Sequence, residues 1–236
     1  MNKTYFLKGI ILNRRPLRER DSQVFVYTDR SGYLDLVVRG TQDIKSKLAG
    51  HIEPFNQIDM MVIKGKKWDY LGAVTAKNVF KNLKNNSDKL LYSGELFRYL
   101  IQLIKPGISD EYIYSLILEY LVLVDNKKLT VSPEYLSRLA LLKIISHLGH
   151  QPMLGACVLC GKKGISKKIR FNPEKNGIIC ASCYDSSYSF AVSLETVNQL
   201  KENIKLSLSN IINIKINKNI EQESTKIIDA FYKYNF

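Results

Sequence analysis

Residues 23 to 40 read QVFVYTDRSGYLDLVVRG, and their pattern decides the fold class. Two short runs rich in β-branched and aromatic residues, QVFVYTD (23–29) and YLDLVVRG (33–40), flank the turn signal DRSG (29–32), where glycine supplies a permissive backbone. Leu34, Leu36 and Val38 alternate with Tyr33, Asp35 and Val37, the period of a half-buried strand. Outward from this hairpin, TYFLKGIILNR (4–14), FNQIDMMVIK (55–64) and WDYLGAVTA (68–76) read the same way, and KGKK (64–67) is a further hairpin turn. Five short strands in about eighty residues predict a small closed barrel, with the five-stranded OB-fold as the candidate.

After residue 80 the period becomes helical. Ser87 is expected to cap a helix through LLYSGELFRYLIQLI, which Pro106 and Gly107 stop. Ser109, Asp110 and Glu111 start a second through IYSLILEYLVLV, their carboxylates set against the positive helix end. Ser132-Pro133-Glu134 starts a third that runs to Gly149. Ser193 restarts helix with LETVNQLKENI, and SNIINIKINKNIEQESTKIIDAFYKY (209–234) closes the chain as one amphipathic piece. The predicted organisation is α+β and multidomain. An OB-fold nucleic-acid-binding domain spans 1–80, an all-helical domain spans 81–150 and 193–236, and a four-cysteine zinc-finger insert spans 151–192.

All four cysteines stand in two CxxC pairs, CVLCG (157–161) and CASC (180–183). The N-terminal apolar run is broken by Lys8, which argues against a signal peptide, and YIYSLILEYLVLV (112–124) is too short to span a bilayer and carries Glu119. A cytoplasmic location is therefore expected, and in a reducing compartment the pairs read as metal ligands rather than disulfides. Cys157, Cys160, Cys180 and Cys183 suit one structural zinc ion, closed by four thiolates and without an open position for catalysis. A redox pair and an iron–sulfur cluster are alternatives, although neither pair has the βαβ setting of a redox motif. His147 and His150 lie just before Cys157 and read as ordinary helix-end residues.

The net charge is +13 and uneven: residues 1–80 hold fourteen Lys/Arg against eight Asp/Glu, and residues 151–192 hold six against two. That surplus points to a phosphate-rich partner. In the front part it concentrates in RRPLRER (14–20), RGTQDIKSK (39–47) and KGKK, giving Arg14, Arg15, Arg18, Arg20, Arg39, Lys45, Lys47, Lys64, Lys66 and Lys67 as candidate nucleic-acid contacts. Trp68, directly after the basic turn, is the aromatic expected to stack on a base. In the insert, Lys167, Lys168 and Arg170 either contact phosphate or offset the charge of the thiolate centre. No Walker loop, dinucleotide loop, HExxH or GxSxG is present, so the chain reads as a binding protein with no enzymatic activity and no small-molecule substrate. An RNA-binding or translation-associated OB protein with a zinc ribbon, and a metalloenzyme acting on nucleic acid, are the competing readings.

Over nearly its full length the chain resembles the DNA repair protein RecO family. LGHQPMLGACVLCG (148–161) matches that family's LGxxPxLxxCxxCG, and GIILNRRPLRERD, VFVYTDRSGYLDLVVRG and KSKLAGHIEPF match its N-terminal half. Arg39 and Gly40 fall on the family's ArG position, Lys45, Ser46 and Lys47 on its basic KS position, and the four cysteines on its zinc finger. TQDI (41–44), with Asp43, departs from a more basic run in many relatives. The resemblance implies a mediator of recombination that binds single- and double-stranded DNA and anneals complementary strands. It implies RecR, sometimes RecF, and the C-terminal tail of single-strand-binding protein as partners in loading RecA.

Overall fold

The computed structural model of the chain describes residues 4–43, 46–165, 168–184, 188–214 and 216–236. It divides into two compact units, Met1–Asn126 and Lys127–Phe236.

Unit 1 begins with β1 (Thr4–Pro16), β2 (Ser22–Thr28), β3 (Gly32–Val38), β4 (Gln57–Ile63) and β5 (Asp69–Asn78), which close into a barrel in the order β1-β2-β3-β5-β4. Closure comes from a parallel pairing of β3 with β5 at Leu36↔Asp69 and Val37↔Tyr70, and from β4 pairing back on β1. The alternation read in the quoted stretch sends Leu36 and Val38 inward, where they join Leu7, Ile11, Val24, Val26, Ile58 and Val62 in one core. Gly32 ends the β2–β3 turn at φ +62, and a Cβ there would meet the Ile108 carbonyl oxygen at 2.0 Å, so the position admits only glycine.

Three helices complete this unit: α1 (Lys81–Lys84), α2 (Ser87–Leu103) and α3 (Glu111–Asp125). They belong with the barrel. The Phe55 and Phe97 rings meet at 5.0 Å, Lys84 Nζ donates to Asn56 Oδ1 at 2.6 Å, and the Gly107 amide donates to the Tyr33 carbonyl. The stretch expected as one helical domain over 81–150 thus falls on both sides of the division between the units. Asn86, not Ser87, caps α2, and Asp110 caps α3. The short α1 has no side-chain cap of its own, and Asp125 Oδ1, from the end of α3, accepts the Leu83 amide at 2.8 Å. Asp125→Ala is expected to lower stability by about 1 kcal/mol in a urea melt, the usual effect of deleting a helix cap.

Unit 2 packs α5 (Leu194–Lys205), α6 (Leu208–Ile212) and α7 (Lys218–Asn235) around α4 (Pro133–His147). Every residue of α4 from Tyr135 to Ile145 is buried, including Arg138, which pairs with Asp229, and Lys143, which donates to the Ile204 carbonyl. Ser132 and Ser193 cap α4 and α5 as expected from sequence. The single closing helix expected over 209–234 is two, because the Asn217 side chain accepts the Asn219 amide and starts α7 afresh. The insert is a small sheet of β6 (Arg170–Asn172), β7 (Gly177–Ile179) and β8 (Phe190–Ala191) in the order β7-β6-β8, over a patch of buried Ile165, Ile169, Phe171 and Ile178. No described helix is long and apolar enough to cross a membrane.

Candidate functional site

The cysteine residues converge. The Sγ atoms of Cys157, Cys160, Cys180 and Cys183 all lie within 4.8 Å of one another, and Cys160 and Cys180 are 3.8 Å apart. A tetrahedral ion with Zn–S bonds of about 2.3 Å would place its sulfurs about 3.8 Å apart, so this donor set fits such an ion. Main-chain bonds build the two turns. The Gly161 amide donates to the Cys157 carbonyl, the Cys157 amide to Lys162, the Val158 amide to Ile178, and the Cys183 amide to the Cys180 carbonyl. Burial raises the Cys157 thiol, but amides of Cys180, Cys160 and Leu159 outweigh it and bring the pKa down to about 6. Cys183 is pushed up to about 12, chiefly by its contacts with the sulfurs of Cys160 and Cys180. The group contains no histidine, and His150 instead meets the Phe236 ring edge-on at 5.3 Å.

On the barrel, the candidate cations separate into distinct roles. Arg39 and Lys64 line one open groove of about 420 Å³ together with Leu48, Ile63, Tyr70 and Leu71. The Arg39 guanidinium lies 4.6 Å from the Tyr70 ring centre, and Lys64 Nζ lies 5.9 Å from that of Tyr5. Lys66, Lys67 and Trp68 stand exposed on the adjoining β4–β5 turn, the indole 37% accessible. Such cation–aromatic pairs offer charge for phosphate and ring faces for bases in one place. Burial, then the nearby Asp69 carboxylate, raises the Tyr5 hydroxyl, so Tyr5 is neutral at physiological pH.

Arg15 forms part of a different row on the outer face of β1–β3. Its Nε donates to Gln23 at 2.8 Å and its guanidinium lies 5.0 Å from the Phe25 ring centre, which is stacked with Tyr33 at 6.0 Å. Arg18 and Arg20 are exposed between β1 and β2, and Lys47 is exposed in the β3–β4 connection. Arg14 is different. It donates to Ser22 Oγ, to the carbonyls of Ala49 and Thr41, and to Glu53 Oε1 at 2.6 Å, so it fastens the 39–56 connection to β1. In unit 2, Arg170 likewise braces Ser189 and lies 4.3 Å from the Tyr184 ring centre, while Lys168 is exposed. Lys45 and Lys167 lie outside the described residues.

Sequence names Tyr5 and Tyr70 among the front-end aromatics that could offer ring faces but prefers Trp68 to them. Their cation partners stand 59 and 31 positions away, so no local signal marks them. The parallel β3–β5 pairing brings Tyr70 beside Val37, close to Arg39.

Barrel and thiolate cluster together define a chain with a small closed β-barrel at its front and a helical second part that carries a four-cysteine metal-type site. The family model for the recombination protein O N terminal matches residues 1–80, and that for the recombination protein O C terminal matches residues 86–236. This chain belongs to the recombination protein O (RecO) family. Among its relatives, the DNA repair protein RecO of Alkaliphilus metalliredigens is 25% identical, covering 95% of this chain and 90% of that protein. The DNA repair protein RecO of Desulforamulus reducens is 24% identical, covering 98% and 90%. That of a Thermoanaerobacter species is 25% identical, covering 96% and 90%. Of solved structures, an Entamoeba histolytica asparaginyl-tRNA synthetase aligns at 14% identity over 64% of this chain and 33% of that one, with a TM-score of 0.28, too low to bear on the fold.

Proposed function

We propose that this protein is a DNA-binding recombination mediator and strand-annealing protein in homologous-recombination repair. In this reading the barrel is an OB-fold that binds single- and double-stranded DNA. The protein works with RecR, and with RecF where that partner is used, on DNA coated by single-strand-binding protein, whose C-terminal tail it contacts, to help load RecA. It acts in the cytoplasm and catalyses no covalent step. Family membership supports this reading, and one observation carries the DNA interface: Arg39 and Lys64, distant in sequence, line one groove with Tyr70 and Tyr5 beside them.

Annealing is then electrostatic. Arg39, Lys64, Lys66 and Lys67, with Arg15, Arg18, Arg20 and Lys47 around them, hold phosphates and weaken the repulsion between two strands, while Trp68, Tyr70 and Tyr5 offer ring faces to unpaired bases. Base pairing itself supplies specificity. In unit 2, Cys157, Cys160, Cys180 and Cys183 would hold one structural zinc ion whose role is to fix the insert. Lys168 and Arg170, in the same insert, would be lesser DNA contacts.

The test is the annealing rate of two complementary DNA strands already coated with the cognate single-strand-binding protein, measured at two salt concentrations. Acceleration that falls with salt and disappears with a non-cognate coating protein is expected. No acceleration at either salt overturns the mediator reading and favours an RNA-binding one, which a clear preference for RNA over DNA would identify. Arg39→Ala and Lys64→Ala are each expected to weaken binding to all sequences alike and to flatten the slope of log affinity against log salt by about one.

A further inference from the structure

We propose that unit 2 carries a second site for single-stranded nucleic acid, built from Tyr188, Phe190 and Tyr234 with Lys226 and Lys233, so that one chain holds two strands at once. This rests on the DNA-binding reading above and adds a site to it. The five residues line an open groove of about 450 Å³ between the end of the insert and α7. Tyr188 is 56% and Tyr234 43% accessible, unusual exposure for neighbouring rings whose centres are 5.3 Å apart at an interplanar angle of 32°. Lys226 Nζ lies 4.4 Å from the Phe190 ring centre. A partly exposed tyrosine pair, an ammonium group over the neighbouring Phe190 ring and Lys233 on the same lining bring together, in the other unit, the residue types of the barrel groove.

Charge agrees with this assignment. Residues 127–236 hold sixteen Lys/Arg against eight Asp/Glu, a net of +8 out of +13, so the unit without the barrel carries the larger share. Of the two acids lining the groove, Glu134 and Asp229, the second is engaged by Arg138; Glu174 lies near Tyr234, and Glu223, near Lys226, is held by Ser193 and Thr196. An acidic peptide with an aromatic anchor would need an enclosed pocket for its side chain. The groove is open instead, which suits bases stacking on rings. Two strand sites on one chain would let annealing begin without two protein molecules having to meet.

Native mass spectrometry of the full chain with the single-stranded probe dT15 counts strands per molecule. Wild type is expected to carry two, and Tyr188→Ala/Tyr234→Ala one, with the second binding step weakened about tenfold. Tyr188→Phe/Tyr234→Phe keeps the rings and should behave as wild type, which separates loss of stacking from loss of fold. Crosslinking with 5-iodouracil in the same oligonucleotide should mark Tyr188 or Tyr234. A single strand on wild type, or two strands on the alanine variant, overturns the second site while leaving the barrel reading intact. No strand on wild type overturns the DNA-binding reading itself. If an acidic, phenylalanine-ended peptide binds wild type but not the alanine variant, and dT15 stoichiometry is the same in both, the groove is a protein-docking site and the inference fails.

Discussion

Cys157→Ser is expected to release the metal and unfold the insert of unit 2, a loss on the order of 10 kcal/mol of metal-coupled folding energy, while the barrel continues to bind DNA. Apart from the metal, the insert is held by a small buried patch of Ile165, Ile169, Phe171 and Ile178 and by short strands. Its strands are three, three and two residues long, and Cys157 is 2% accessible, with its amide, carbonyl and sulfur all engaged by neighbouring turns. A serine there removes one ligand from the shell and leaves three cysteine sulfurs, too few to close it. Zinc content, a protease cleavage map and DNA-binding anisotropy together read the outcome: metal lost, cuts confined to residues around 151–192, anisotropy retained. A variant of full stability that bound no DNA would move the cysteines from a structural to a DNA-contacting role. Chelation of the wild type should have the same consequence. Loading should also weaken as pH falls, because protons compete for the thiolates, and Cys183, held protonated up to about 12 in the free cluster, must give up its proton to become a ligand.

Arg14→Ala should destabilise unit 1 by about 3 kcal/mol, more than removal of any exposed cation on the barrel. The Arg14 side chain is only 17% accessible and bridges β1 to Thr41, Ala49 and Glu53. Its deletion leaves two main-chain carbonyls without this donor and frees the connection on whose first residue Arg39 stands. Glu53 is 47% accessible and regains water, so most of the loss comes from the carbonyls and from Ser22 rather than from an abandoned carboxylate. DNA affinity should fall with the loosening, yet the salt slope should stay that of wild type, because Arg14 is not placed to meet phosphate. Arg39→Ala should do the reverse, flattening the slope at unchanged stability. An unchanged urea midpoint for Arg14→Ala would return Arg14 to the list of DNA contacts.

The contrast between these arginines shows where a linear reading of this chain stops. RRPLRER places Arg14, Arg15, Arg18 and Arg20 together, and all four look alike as basic residues in a first loop. Strand parity and the path of the 39–56 connection separate them, turning Arg14 inward to three carbonyl and carboxylate oxygens and a hydroxyl and leaving Arg15 stacked on Phe25. Similarly, the side chain that accepts an amide at the start of α1 is Asp125, 42 positions away, and no pattern within 81–84 announces that.

What the sequence determined by itself was local and periodic. The alternation through 23–40, the caps at Asp110, Ser132 and Ser193, and the CxxC pairs all concern residues a few positions apart, where backbone geometry alone brings groups together. Only the tertiary structure decided which barrel cations meet an aromatic ring, which arginine becomes a bracket, that α1 to α3 belong with the barrel, and that Tyr188 and Tyr234 share a groove. The reason is physical: those contacts join residues tens of positions apart, and their partners are chosen by strand register and helix packing, which arise only once the hydrophobic cores have closed.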